Sequence, residues 1–172
     1  MANRTEKDLW IEMTIREIWT QANLAELAYR NLALRAGTDA SFSFIHAFLT
    51  HCANVSEMLA AGDGENPPKT IGEVLEVSNG SYIHSRIFRN HLAHFDKRVR
   101  EWICNKGTKA VAGATSVAPK SKLMIPGKSL VSHYDPANKI FTFMDEDFNI
   151  SALYDEVIKV KWQADIWVKN AG

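Results

Sequence analysis

Three histidines and four arginines crowd into one stretch, His84 to Trp102, which reads HSRIFRNHLAHFDKRVREW. Imidazole exchanges a proton near neutral pH, and a guanidinium can bind two phosphate oxygens at once, so these residue types suit chemistry on a phosphate. The charge around them points the same way. From His84 to Lys128 there are ten Lys or Arg against two acids, Asp96 and Glu101, although the whole chain balances at 20 of each sign. The balance removes any whole-chain argument for nucleic-acid binding, while the local excess favours an anionic ligand; a solvated basic face offset by acidic helices is the competing explanation.

The element that must position these residues is a helix. Phe88, Leu92, Phe95, Val99 and Trp102 recur at alternating spacings of four and three, which predicts one amphipathic helix from Ser85 to about Asn105. At about 100° per residue, Phe88, Leu92, Phe95, Val99, Trp102 and Ile103 share an apolar face. Asn90 and His94 lie on one flank with Arg86 a turn earlier, and Arg89 lies on the other with Asp96 and Arg100. His91 borders the apolar face, where packing at the core edge is the commoner role for a histidine. Asp96 and Arg100 read as an ordinary i, i+4 ion pair.

Two long helices precede it. Ile11, Ile15, Ile18, Ala22, Ala25, Tyr29 and Leu32 predict a helix from Thr5 to Leu34, and the nearly all-round apolar pattern from Phe42 to Leu59 predicts a buried helix over Ala40 to Ala61. His46 and His51 on that helix are read as hydrogen-bonded or partly exposed side chains without chemistry. The Gly- and Pro-rich run Gly62 to Pro68 is a surface loop, and Thr70 caps a short helix to Val77. Lys106 to Lys122, rich in Gly, Ala, Ser, Thr and Lys, reads as a basic flexible linker. Alternation around Asp135-Pro136-Ala137-Asn138 predicts a β-hairpin, Ser129 to Tyr134 with Lys139 to Met144. Asp145-Glu146-Asp147 then leads into a last helix, Ser151 to Lys169. The expected organisation is residues 1–105 as a helical bundle, 106–122 as linker and 123–172 as hairpin plus helix packed on the bundle.

Cys52 and Cys104 have no ligand-type spacing, which argues against a disulfide framework or structural zinc. His84, His91 and His94 fall on one side of the wheel but span two turns, an unusual ligand set, so no metal or cofactor is expected. The charged first twenty residues exclude the apolar core of a signal peptide, and no apolar run approaches the length of a membrane span, so a cytoplasmic location without membrane association is expected.

Arg89-Asn90-x-x-x-His94 resembles the motif of the HEPN superfamily, in which an arginine, often followed by a polar residue, is separated from a histidine by four to six intervening positions; Arg86 and His91 offer a second pair of similar spacing. Long helices before the motif helix, and Phe95-Asp96 just after the histidine, add to the likeness, which covers about residues 5–105. The resemblance implies an all-α fold, a HEPN-like helical bundle, here with a C-terminal β-hairpin and final helix. It also implies metal-independent ribonuclease action, in which the RNA's own 2′-hydroxyl attacks the adjacent phosphorus. Arg89, Asn90 and His94 would be the catalytic set, with Asn90 orienting His94 or the phosphate, and Arg86, His91 and Arg98 would hold the substrate.

Residues five apart lie about 140° apart on one helix. A homodimer through the motif helix would therefore bring Arg89 of one chain to His94 of the other. The resemblance further implies a toxin or defence role with an antitoxin protein as partner, or, in the competing reading, a non-catalytic module that binds RNA, a nucleotide or a protein.

Overall fold

The computed structural model describes residues 5–36, 38, 40–64, 69–84, 94–107, 110–119 and 129–171. Helix α1, Glu6–Leu34, starts where Thr5 and Asp8 form a reciprocal cap: Thr5 Oγ1 accepts from Asp8 N at 3.1 Å and Asp8 Oδ2 accepts from Thr5 N at 3.0 Å. Its inner face is Ile15, Ile18, Ala22, Ala25, Ala28 and Leu32, and the three alanines leave room for close neighbours. One neighbour is α2, Ala40–Leu59, which buries Ile45, Phe48, Leu49, Cys52, Val55 and Leu59. The other is the last helix, α5, Ile150–Ala171. Tyr29 of α1 stacks on Tyr154 of α5 with ring centroids 3.9 Å apart, and further along Lys161 Nζ reaches Glu26 Oε2 at 2.5 Å. α5 thus runs antiparallel to α1.

Between α2 and α5 the chain makes the short helix α3, Ile71–Val74, held by a second reciprocal cap between Thr70 and Glu73. A 3₁₀ turn, Tyr82–His84, follows, and Ser81 ties it to α5 through a hydrogen bond to Glu156. Helix α4, Phe95–Lys106, is the described part of the expected motif helix.

The all-α expectation is overturned by a four-stranded mixed sheet. Its strands are β1 (Ala110–Val117), β2 (Ser129–Asp135), β3 (Ile140–Phe143) and β4 (Glu146–Asn149), in spatial order β1-β2-β3-β4. The expected hairpin is its middle, with Asp135 opposite Ile140 and Ser132 opposite Phe143. Asp135 shapes that turn by accepting from the backbone N–H of Ala137 and Asn138 at 3.0 and 3.2 Å. The segment expected to be a flexible linker supplies β1, which runs parallel to β2. The acidic lead into the last helix is β4, antiparallel to β3.

The β3–β4 connection has only Met144 and Asp145 between the strands, both left-handed at φ 49° and 68°. Such a tight turn normally carries Asn-Gly or Asp-Gly, so these residues gave no sign of it. Phe141, Phe143 and Phe148 line the inner face of the sheet, and Phe141 meets Phe42 of α2 edge-on at 6.3 Å. Sheet and helices therefore share one core. Among the described residues no helix is long and apolar enough to cross a membrane.

Candidate functional site

α4 is fixed to the sheet by the strained turn. Trp102 is buried and its Nε1 donates to Asp145 Oδ2 at 2.8 Å, while Lys106 Nζ pairs with the same oxygen at 2.8 Å. One carboxylate at the β3–β4 corner thus anchors two successive turns of α4. Nothing in the sequence marked Asp145 for this, because its turn lacks the usual glycine signal. Val99, half-buried, packs beside Trp102 against the core, so these two residues of the apolar seam have their partner within the chain, while Ile103 stays exposed.

Around the rest of its circumference α4 is charged and open, with three cations to two acids. Lys97, Arg98 and Arg100 are exposed, and the acid that Lys97 and Arg98 approach is Glu101, at 3.9 and 4.0 Å, rather than Asp96. Ion pairs this long and this exposed hold their cations weakly, leaving them able to meet an anion. His94 is exposed and stands just before the first helical residue, with φ −127° and ψ 35°. An uninterrupted helix from Ser85 to Asn105 is thereby corrected. The wheel separation of Arg89 from His94 assumed that continuity, and the break at His94 removes the constraint.

Of the expected site residues, His94 and Arg98 are placed on this surface, one turn apart. Arg86, Arg89, Asn90 and His91 lie outside the described residues. His84 sits in the 3₁₀ turn, and its Nε2 is buried with no hydrogen-bond partner among the described residues. Among the described residues no group of three or more His, Cys, Asp or Glu is arranged to hold a metal ion.

The remaining histidines serve the fold. His46 lies edge-on to Phe141 and Phe143 at 6.1 and 6.4 Å, and burial lowers its pKa. His51 Nδ1 lies 2.7 Å from Gln21 Oε1, which also accepts from Asn54 Nδ2 at 3.0 Å, so a small polar cluster joins α1 to α2; burial lowers this histidine's pKa as well. His133 places Nδ1 2.9 Å from the Ser116 carbonyl, joining β2 to β1. Buried Cys52 has its thiol pKa pushed well up by burial, a poor nucleophile by position.

No family model, no curated protein and no solved structure matches this chain.

Proposed function

We propose that the chain is an RNA-directed protein that cleaves a phosphodiester without metal, with the RNA's 2′-hydroxyl as nucleophile. His94 exchanges the proton, Arg89 balances charge on the phosphorane, and Asn90 orients one or the other. Arg86, His91 and Arg98 hold the neighbouring phosphates. The resemblance of Arg89-Asn90-x-x-x-His94 to the HEPN motif supports this reading. The observation that carries it is the exposure of His94 at the start of a helix whose exposed residues include Lys97, Arg98 and Arg100. A phosphate there meets free helical N–H groups and several cations together. The protein works in the cytoplasm on this reading, as a toxin or defence effector whose action an antitoxin protein restrains. Pairing through the motif helix is not carried further, because Trp102 is closed against Asp145 within the chain.

The experiment is cleavage of labelled RNA by the purified chain in EDTA. Wild type should cut, and Arg89→Ala and His94→Ala should each lose about 10²- to 10⁴-fold in rate. Binding that persists in all three without cleavage would favour the second reading, a non-catalytic RNA- or nucleotide-binding module. The same exposed cations support that reading, binding the phosphates with no residue exchanging a proton.

A further inference from the structure

α1 packs between α2 and α5, and its outward face exposes five large apolar side chains among its polar ones. Leu9, Met13, Leu24, Leu27 and Leu34 are exposed by 51, 63, 39, 58 and 83%. At about 100° per residue they fall within about 80° of one another, opposite the buried Ile15, Ile18 and Ala22. They form two clusters, Leu9 with Met13 near the start and Leu24, Leu27 and Leu34 toward the end, with exposed Arg16 and Thr20 on the same arc between them. Clustered apolar surface of this kind marks an interface.

Its relief is self-complementary. At one end Leu9, Trp10 and Met13 join Met58 of α2 and Ala61 just beyond it around an open, mostly apolar depression that Glu6 and Glu17 also border. At the other end stands Leu34, the most exposed large apolar side chain among the described residues. One end is therefore a shallow depression and the other a protruding side chain. The charge is polarised along the same axis. The first half of α1 carries Glu6, Asp8, Glu12 and Glu17 against Lys7 and Arg16, and the end carries Arg30 and Arg35 against Glu26.

We infer that this face binds a second copy of the chain, with the two α1 helices antiparallel about a two-fold axis near Thr20 and Leu24. That register seats Leu34 of each copy over Leu9 at the depression of the other, and sets Met13 opposite Leu27 and exposed Glu6 opposite exposed Arg35. A parallel pairing would instead oppose Glu6 to Glu6 and leave both depressions empty. The contact is isologous, so every favourable pair occurs twice and the assembly closes at two. The 29 helical residues make a strip about 43 Å long and about 10 Å wide, roughly 430 Å² per partner, which sits at the low end of specific interfaces and fits a dimer of modest affinity. This inference stands apart from the RNA reading and uses none of its residues.

The test is sedimentation equilibrium on the full chain across a concentration series. Wild type should reach the mass of two 19.3 kDa chains. Leu34→Glu should raise the dissociation constant by about 30-fold or more, since it replaces a seated apolar group with a charge. Glu6→Arg and Arg35→Glu should each weaken the dimer several-fold, and the double reversal should restore it to within about threefold of wild type. These positions are exposed, and circular dichroism should show unchanged helix in every variant. A wild-type monomer throughout the series would overturn the inference. So would a dimer indifferent to the α1 variants, or one that instead dissociates with Ile103→Glu on α4, or a failure of the double reversal to rescue.

Discussion

α1 and α4 are both amphipathic, and they expose opposite kinds of surface. α1 turns out Leu9, Met13, Leu24, Leu27 and Leu34, whereas α4 turns out Lys97, Arg98, Arg100 and Glu101 and buries Trp102. The inner faces are alike in kind, so burial alone does not say what a helix is for. The outer faces do: an apolar one is suited to another protein surface and a basic one to an anion. The two helices also differ in how they are held. α1 has α2 on one side and α5 on the other, while α4 is held, among the described residues, by the corner at Asp145, the packing of Trp102 and Val99, and its contact with β1.

The comparison can be broken first at the core that both regions share. Phe48 of α2 and Phe141 of β3 are fully buried, so Phe48→Ala and Phe141→Ala should each cost about 3–5 kcal/mol in urea unfolding. Fluorescence and circular dichroism should follow one coincident transition in both variants. Separate transitions would divide the helical layer from the sheet.

A smaller effect sharpens the claim about α4. Trp102→Phe removes the hydrogen bond to Asp145 and should cost about 1–2 kcal/mol, with amide exchange accelerating in α4 before it does so in α1. Uniform acceleration across both helices would show that the Asp145 corner is not what holds α4.

Smaller still is the backbone strain at Glu76, an exposed residue with φ 57°. Glu76→Gly should raise stability by about 0.5–1 kcal/mol, because glycine occupies that conformation without the Cβ clash. A loss of stability would mean that the Glu76 side chain contributes more than its backbone costs.

The ion pair between α1 and α5 should appear as a pH dependence. The hydrogen bond from Lys161, aided by its charge and that of Arg30, lowers the Glu26 pKa below its ordinary 4.5 despite partial burial. The unfolded state then binds more protons through that range, so this contribution is present above about pH 4.5 and is lost as pH falls through the lower folded value. The thermal midpoint of Glu26→Gln should lie below that of wild type at pH 6, and the gap should close toward pH 3. A constant gap would assign the effect to packing.

Local signals made the helical half readable. The Ile15, Ile18, Ala22 period predicts a helix from Thr5 to Leu34, one residue from the observed start of α1 at Glu6, and the Asp135-Pro136-Ala137-Asn138 turn marks β2 and β3. The sheet's other two strands were hidden for separate reasons. β1 reads AVAGATSV, small and weakly patterned, and its partner is a parallel strand with no turn to announce it. β4 follows a two-residue turn made by Met144 and Asp145, neither of them glycine, and its Glu146 and Asp147 resemble the first turn of a helix. At the site, residue type suggested His94 and Arg98, but the break before Phe95 was not legible, because the apolar spacing from Phe88 to Trp102 is unbroken.

The most direct test of the division between the two helices is RNA cleavage in EDTA by wild type, His94→Ala and Arg89→Ala, with each variant's sedimentation measured in parallel. The account predicts that wild type cleaves, that both variants lose cleavage by about 10²-fold or more, and that both keep the wild-type mass. Cleavage unchanged in His94→Ala would contradict it.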